Sequence, residues 1–377
     1  MSPSGSPQGP SPRNSESRPH IAEWFGHRVF PIVASGPKPS GDQGSGQCPF
    51  LTQTVGEAMT CVKTANSRGV CTISASSNGP RQDWLVCPYR ALDESLLNGM
   101  VRRLYGLDAT QSVLIRPVRA LSDASIRDEI LAASQESDPR RPFVYFQDKL
   151  GGEIGLSKTP ASPELSFDIT VIELTSHSDE LRVGRYGVIE LQTTDTHGSY
   201  AQSVTALTNA LDLHGSGFHG ILQQNPEWAG RKIEGPNISN VFKRTFYQIA
   251  LKFQITRRET SAGCILALPR PVWDSWQPFL GAPELHQRPD GTWRLLDDDE
   301  ADPADRIYVF DISEQQGPDG APAPIDVSLV IGTDAATLSR AAFDIAPAKA
   351  LANGAGTDAV VNAIIRRLTA YLPGVTS

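Results

Sequence analysis

No run of apolar residues in the 377-residue sequence approaches the ~20 residues that a membrane-spanning helix needs. The N-terminal stretch also lacks the apolar segment of a secretory signal. Its abundance of Ser, Pro and Gly predicts a disordered tail over residues 1–19. Cysteine is scarce, with five in the chain. Without an export signal, we expect a cytoplasmic protein that has no membrane partner and whose cysteines stay reduced.

Excess positive charge is also missing, because 34 Lys and Arg residues face 42 Asp and Glu residues and give a net charge of −8. A strong long-range attraction to nucleic acid is therefore not expected. The basic residues are nevertheless clustered, since residues 231–259 hold seven Lys or Arg against two Glu. Because binding to a polyanion depends on a local basic face, the composition leaves a nucleic-acid partner open and predicts modest nonspecific affinity.

The pattern of apolar residues predicts a mixed α/β (α+β) fold. Alternation in SFDITVIEL and YGVIELQT indicates strands, whereas SYAQSVTALTNAL and SNVFKRTFYQIALKF have the three- and four-residue steps of helices. GCILALP indicates one more strand, buried on both faces. We predict four parts: the tail at 1–19, a cysteine-rich segment at 20–90, a core at 91–283, and a C-terminal extension at 284–377 that packs on the core.

Acidic side chains on two of the predicted strands are candidates for a metal site. Asp168 begins the first strand, and Glu190 and Gln192 share one face of the second because strand side chains alternate. The 22 positions between Asp168 and Glu190 allow two strands joined by a turn, which would bring the carboxylates together. Oxygen ligands of this kind bind Mg²⁺, which polarises a phosphodiester and lowers the pKa of a bound water. The alternative, a polar stripe that faces solvent, is the commoner origin of such a pattern.

Four of the five cysteines lie within forty residues of one another. Cys48, Cys61, Cys71 and Cys87 are separated by thirteen, ten and sixteen positions, without a C-x-x-C pair. Four thiolates suit a tetrahedral zinc or iron ion, although reduced core cysteines are the commoner origin of such spacing. Cys264, in the apolar GCILALP strand, is expected to be a core residue.

Seven segments resemble, in the same order, those of type II restriction endonucleases of the NotI family. They are IAEWFGHRV, CPFL, SRGVC, DWLVCP, YFQDKLGGE, YGVIELQTTDTHGSY and EGPNISNVFKRTFYQ. The resemblance extends from about Ile21 to Trp276. It implies a PD-(D/E)-x-K nuclease core, a bacterial cytoplasmic homodimer without a nucleotide cofactor, and magnesium-dependent double-strand cleavage of DNA. The implied target is a GC-rich palindrome such as the octamer GCGGCCGC.

The resemblance also implies roles for individual residues. Asp168 and Glu190 would hold the catalytic Mg²⁺, and Gln192 would stand where the superfamily usually has lysine. Glu153, in the matching LGGE string, would be an accessory catalytic carboxylate. The four clustered cysteines would hold a structural iron, and a zinc ion stays possible because both metals accept four thiolates.

Basic residues near these motifs are candidates for DNA binding. Lys243 and Arg244 are adjacent on a predicted helix and diverge by about 100°, so one of them should contact phosphate fully and the other in part. The alternative is an ordinary solvated helix face. Arg185 and Lys158 flank the predicted strands, and we expect Arg185 to read guanine O6 and N7.

Two other functions stay open from the sequence. The first is a sequence-specific DNA-binding protein that does not cut, and the second is a structure-specific repair nuclease on the same fold. Both would keep the basic residues, and they differ in what becomes of DNA in the presence of magnesium.

Overall fold

A computed structural model describes residues 18–76, 79–108, 110–135, 138–177, 180–194, 196–296, 303–353, 356–372 and 374. Most of the predicted tail at 1–19 lies outside these residues. No helix within the described ranges is long and apolar enough to cross a membrane. The chain forms two compact units. Unit 1 comprises Met1–Asp93, Thr193–Asn237 and Ile312–Asp326, and unit 2 comprises Glu94–Gln192, Ile238–Asp311 and Val327–Ser377.

The strands of the described residues, in chain order, are β1 (His20–Trp24), β2 (His27–Arg28), β3 (Val70–Ser76), β4 (Arg81–Leu85), β5 (Ser112–Pro117), β6 (Arg140–Phe146), β7 (Ile154–Leu156), β8 (Leu165–Phe167), β9 (Ile169–His177), β10 (Glu180–Leu191), β11 (Thr196–Gly198), β12 (Ile233–Pro236), β13 (Ser261–Pro269), β14 (His286–Gln287), β15 (Trp293–Arg294), β16 (Asp305–Ile312) and β17 (Ile325–Thr333). The helices are α1 (Pro37–Ser45), α2 (Pro49–Val55), α3 (Glu94–Tyr105), α4 (Ala124–Ala133), α5 (Ala201–His214), α6 (Phe218–Gln224), α7 (Ile238–Ile255), α8 (Arg270–Leu280), α9 (Ala335–Arg340), α10 (Ala346–Ala352) and α11 (Thr357–Leu368). The mixed α/β class predicted from the sequence is confirmed.

Unit 1 is built around an antiparallel sheet of order β2-β1-β3-β4, whose strands β1 and β3 are almost entirely buried. It contains a buried ion pair, in which Arg90 Nε donates to Glu23 Oε2 of β1 at 2.9 Å. Losing either partner would leave a buried charge without compensation, which typically costs about 3–5 kcal/mol. Unit 1 also includes residues 193–237, which the sequence analysis grouped with the core.

Unit 2 is organised by a mixed sheet of order β14-β15-β17-β16-β13-β10-β9-β6-β5. Strands β9 and β10 pair antiparallel, and β10 pairs parallel with β13. β13, the predicted GCILALP strand, is buried along almost its whole length, as expected for a strand that is covered on both faces. The strands of the predicted C-terminal extension, β14 to β17, belong to this same sheet.

Two helices cover opposite faces of β10. On one face, a Cβ added to Gly187 would lie 3.0 Å from Leu104 Cδ1 of α3, so α3 packs directly against the strand. On the other face, Lys252 of α7 contacts Glu190. Side chains alternate along a strand, so residues 187 and 190 point to opposite faces. The end of β10 is therefore enclosed between α3 and α7.

Candidate active site

The β9–β10 pair brings the two predicted carboxylates together. Ile169 pairs with Ile189, and the same register continued by one residue places Asp168 opposite Glu190. The backbone N–H of Asp168 donates to Glu190 Oε1 at 3.4 Å, and the N–H of Leu191 donates to Asp168 Oδ2 at 2.8 Å. Each carboxylate is thus fixed by the backbone of the other strand.

Burial makes both carboxyl groups weaker acids than usual. Glu190 is 7% exposed, and burial together with the neighbouring Asp168 carboxylate raises its pKa to about 8. Burial also raises the pKa of the partly buried Asp168, against the lowering effects of the Leu191 N–H and of Lys252. Two acidic groups held this closely favour a bound cation, because a cation offsets their repulsion.

A third element, α7, contributes polar side chains to the same face. Lys252 is 4% exposed, and its Nζ donates to Glu190 Oε2. About two helical turns before Lys252, Thr245 Oγ1 donates to Gln192 Oε1. The sequence analysis missed Lys252. Its position could have been inferred from the sequence, because this lysine falls on the apolar side of the predicted helix, with Ile249 and Phe253.

A third acidic group, Asp305, lies near the end of α7. Asp305, at the start of β16, is buried and accepts hydrogen bonds from the N–H of Cys264 at 2.9 Å and from Thr256 Oγ1 at 3.2 Å. Burial raises the pKa of Asp305 to about 7, against these hydrogen bonds. Cys264 itself is fully buried in β13, which confirms the predicted core position.

The accessory carboxylate Glu153 immediately precedes β7. Ile154 of β7 pairs with Phe167 of β8, and that register continued by one residue places Glu153 opposite Asp168. The side chain of Glu153 is exposed. Lys158, also exposed, follows two residues after β7. The pairing of β7 with β8 thus brings Glu153 to the end of this ladder that is nearest to Asp168.

The structure does not bring Arg185 to the carboxylates. The Arg185 guanidinium lies 5.6 Å from the ring centre of Tyr105, and its Nη2 donates to the Tyr105 carbonyl at 3.4 Å. Tyr105 belongs to α3, which covers the sheet face opposite Glu190. The position of Arg185 therefore gives no support to base reading beside the carboxylate pair.

Lys243 and Arg244 are both exposed on α7, the helix that supplies Lys252. Their side chains lie on the solvent side, while Ile249 and Phe253 of the same helix are buried. The predicted DNA-binding pair is thus connected to the carboxylates by a rigid element.

The donor set fits a magnesium ion. Among the residues that the structure describes, no group of three or more His, Cys, Asp or Glu side chains is arranged to hold a metal. Magnesium needs no such group, since proteins usually bind it through one or two carboxylates, with water and substrate phosphate completing the shell. Asp168 and Glu190 supply the two carboxylates, and the amide oxygen of Gln192 lies on the same face.

The four clustered cysteines line a single pocket of unit 1, together with Lys63 and Phe25. The N–H of Gly69 donates to Cys61 Sγ at 3.3 Å, as backbone amides do to metal-bound sulfur. Within the described ranges the thiols do not converge on one point as ligands would. The chemistry of the donors and their shared pocket fit a structural metal, and their present arrangement is that of four separate thiols.

Burial favours the neutral form of three of these thiols, those of Cys48, Cys71 and Cys87. It raises the pKa of Cys48 to about 12 and also raises the pKa values of Cys71 and Cys87. Lys63 acts in the opposite direction on Cys87, and its Nζ donates to the carbonyl oxygens of Val70 at 2.8 Å and Val86 at 3.2 Å. Metal binding at this pocket would therefore have to displace protons.

No protein-family model matches the chain, and a search of curated proteins finds no match.

Proposed function

We propose that the protein is a magnesium-dependent type II restriction endonuclease that cuts both strands of a GC-rich palindrome. The observation that carries the proposal is the pairing of Asp168 and Glu190 across β9 and β10, where each carboxylate accepts a backbone N–H of the other strand. Such a pair is rigid before substrate arrives, so it offers the preorganised oxygen ligands that phosphodiester hydrolysis requires.

The residues divide the work of hydrolysis. Asp168 and Glu190 would hold Mg²⁺, which when bound polarises the phosphodiester and acidifies a water. Thr245 fixes the orientation of the Gln192 amide, which positions the scissile phosphate. Glu153 lies on the open side, where it can orient the attacking water. The water oxygen forms a bond to phosphorus as the bond to the leaving deoxyribose oxygen breaks, and the proton that water loses is returned to that oxygen through solvent.

A palindrome is matched by a two-fold symmetric protein, so we propose a homodimer in which each subunit cuts one strand. Lys243 and Arg244 are the proposed phosphate contacts because they are exposed on the helix that reaches the active site. Lys158 and Arg185 are also proposed as DNA contacts. Lys158 is the better supported of the two, because it lies close to Glu153 in the chain. The acidic net charge implies that affinity comes from such close contacts.

We further propose that Cys48, Cys61, Cys71 and Cys87 hold one structural iron, or a zinc ion in its place. The four thiols share a pocket, and one sulfur already accepts an amide N–H. A bound ion would supply a cross-link between α2, β3 and the chain after β4, and it would stabilise the folded state alone.

Incubation of supercoiled plasmid with the protein and Mg²⁺ tests the proposal. Discrete linear fragments with ends at one palindromic sequence are the expected result. Shifted but uncut DNA would indicate a binding protein without cleavage, and nicks confined to structured DNA would indicate a repair nuclease. Calcium in place of magnesium is the control, because it supports binding without efficient chemistry in many nucleases of this kind.

A further inference from the structure

Lys252 is a buried ammonium beside the carboxylate pair of Asp168 and Glu190. It lies on α7, and its Nζ contacts Glu190 Oε2 and lies 5.8 Å from the ring centre of Phe167. Sixty-two positions of sequence separate Lys252 from Glu190, so only the packing of α7 on β10 brings them together. Strand β10 itself offers an amide, Gln192, two residues beyond Glu190.

Stability alone does not account for a charge at this position. Burying an ammonium carries a large desolvation cost, and replacing a buried ion pair by apolar residues is often neutral or stabilising. The neighbours of Lys252 on the same helix face, Ile249 and Phe253, are apolar and fully buried. An apolar residue at position 252, opposite a neutral residue at position 190, would fill the same space at a lower free-energy cost.

We propose that Lys252 is a catalytic residue that contacts the scissile phosphate and supplies, from α7, the positive charge that the Gln192 amide does not provide. The inference rests on the proposed nuclease function. Before metal binds, the ammonium neutralises Glu190. A divalent cation on Glu190 competes for the same carboxylate, so metal binding frees the ammonium to donate to a phosphate oxygen. Lys252 acts as a hydrogen-bond donor that stabilises negative charge on phosphorus.

The proposal predicts opposite changes in cleavage and in metal affinity. In Lys252→Met, cleavage of the cognate duplex should fall by about 10²–10³-fold, as for loss of one transition-state donor. Binding of Ca²⁺, measured by calorimetry without DNA, should tighten by about tenfold because the competing cation is gone. A variant that is merely damaged would lose both. Thr256→Val, four residues after Lys252 and immediately after α7, is the matched control and should leave cleavage unchanged.

Relocating the charge guards against a folding defect, because Lys252→Met leaves Glu190 buried without a partner. In the double variant Lys252→Met/Gln192→Lys, the introduced amine lies on the same strand face as Glu190 and can pair with it. Cleavage by the double variant at least tenfold above that of Lys252→Met, or within tenfold of wild type if the single variant does not fold, supports the proposal. A folded Lys252→Met that cuts within twofold of wild type overturns it, as does a folded Lys252→Met that binds Ca²⁺ no more tightly than wild type. If wild-type protein itself does not cut, the failure lies with the proposed nuclease function instead.

Discussion

The cysteine pocket of unit 1 and the carboxylate pair of unit 2 differ in how they avoid a buried negative charge without compensation. Both collect acidic groups in a buried place, and both include a lysine, Lys63 in the pocket and Lys252 beside the carboxylates. In unit 2 the ammonium bonds to a carboxylate directly. In unit 1 the ammonium bonds to two backbone carbonyls, and the thiols avoid charge by staying protonated.

The difference follows from the intrinsic acidity of the groups. A thiol is neutral at physiological pH before it is buried, so burial only reinforces its ordinary state. A buried carboxyl group avoids an uncompensated charge either by taking up a proton or by pairing with a cation. The pKa of Glu190, raised to about 8, allows either state. A metal would therefore exchange for protons in the cysteine pocket and for an ammonium at the carboxylates.

The largest effect on cleavage is expected from substitutions in the carboxylate pair of unit 2. Asp168→Ala or Glu190→Ala should abolish detectable cleavage, because each removes one of the two proposed metal ligands. Specific binding measured in Ca²⁺ should survive, as DNA contacts lie elsewhere. Glu180→Ala, at the exposed start of the same strand β10, is the control and should cut normally. Substantial cutting by either ligand variant would refute the site.

The second prediction breaks the cysteine side. Purified protein should contain about one iron or zinc per chain by elemental analysis, and Cys71→Ser should lose the metal together with several kcal/mol of stability. Cys264→Ser removes a cysteine that is equally buried but belongs to β13. It should keep the metal. A metal-free preparation that is stable and active would rule out a structural ion.

The third prediction uses Asp305, a buried carboxyl group whose pKa is raised without direct contact to a lysine. The folded state holds its proton more tightly than the unfolded state, in which the pKa is near the ordinary 3.8. Its contribution to stability is therefore complete below about pH 4 and is lost as the pH rises to about 7. Asp305→Asn keeps the acceptor oxygen and should reduce this loss, by about 2 kcal/mol between roughly pH 5 and pH 8.

Urea unfolding of wild type and Asp305→Asn at both pH values measures that difference. Asp290 provides a control of opposite sign, because the Thr292 hydroxyl lowers its pKa to about 2. Asp290→Asn should cost stability above the ordinary Asp pKa, and the cost should fade in acid. Parallel pH profiles of wild type and Asp305→Asn would show that Asp305 titrates normally.

The smallest expected effect concerns DNA. Lys243→Ala should weaken binding about equally on cognate and scrambled duplexes and lower the salt slope by roughly one unit. Arg185→Ala is the comparison on the other sheet face. Because the Arg185 guanidinium lies over Tyr105, we expect the ratio of specific to nonspecific affinity to be kept. A collapse of that ratio in titrations of both duplexes would instead identify Arg185 as a guanine reader.

Local patterns in the sequence were sufficient for the elements that hold the carboxylates. Period-two alternation identified β9 and β10, and three- and four-residue steps identified α7. The separation of Asp168 and Glu190 was correctly attributed to two paired strands. The same alternation argues against placing Arg185 beside the carboxylates. Arg185 is five positions from Glu190 in the strand, and residues an odd number of positions apart point to opposite faces.

Long-range packing supplied what the sequence could not. Nothing local indicates that Lys252 meets Glu190, because the choice of helix face depends on how α7 docks on β10. The cysteines are similar, since their irregular spacing does not reveal that α2, β3 and the chain after β4 converge on one pocket. The assignment of residues 193–237 to unit 1 likewise depends on contacts between segments far apart in sequence.

The two backbone amides that donate to the carboxylates make the active site observable in the absence of DNA. The N–H of Asp168 and the N–H of Leu191 are protected from solvent deuterium by Glu190 and Asp168 respectively, in addition to any protection from the sheet. A cation that draws the carboxylate oxygens toward itself changes both acceptors at once. The deuterium uptake of these two amides would therefore report whether the proposed metal site is occupied, in protein without substrate.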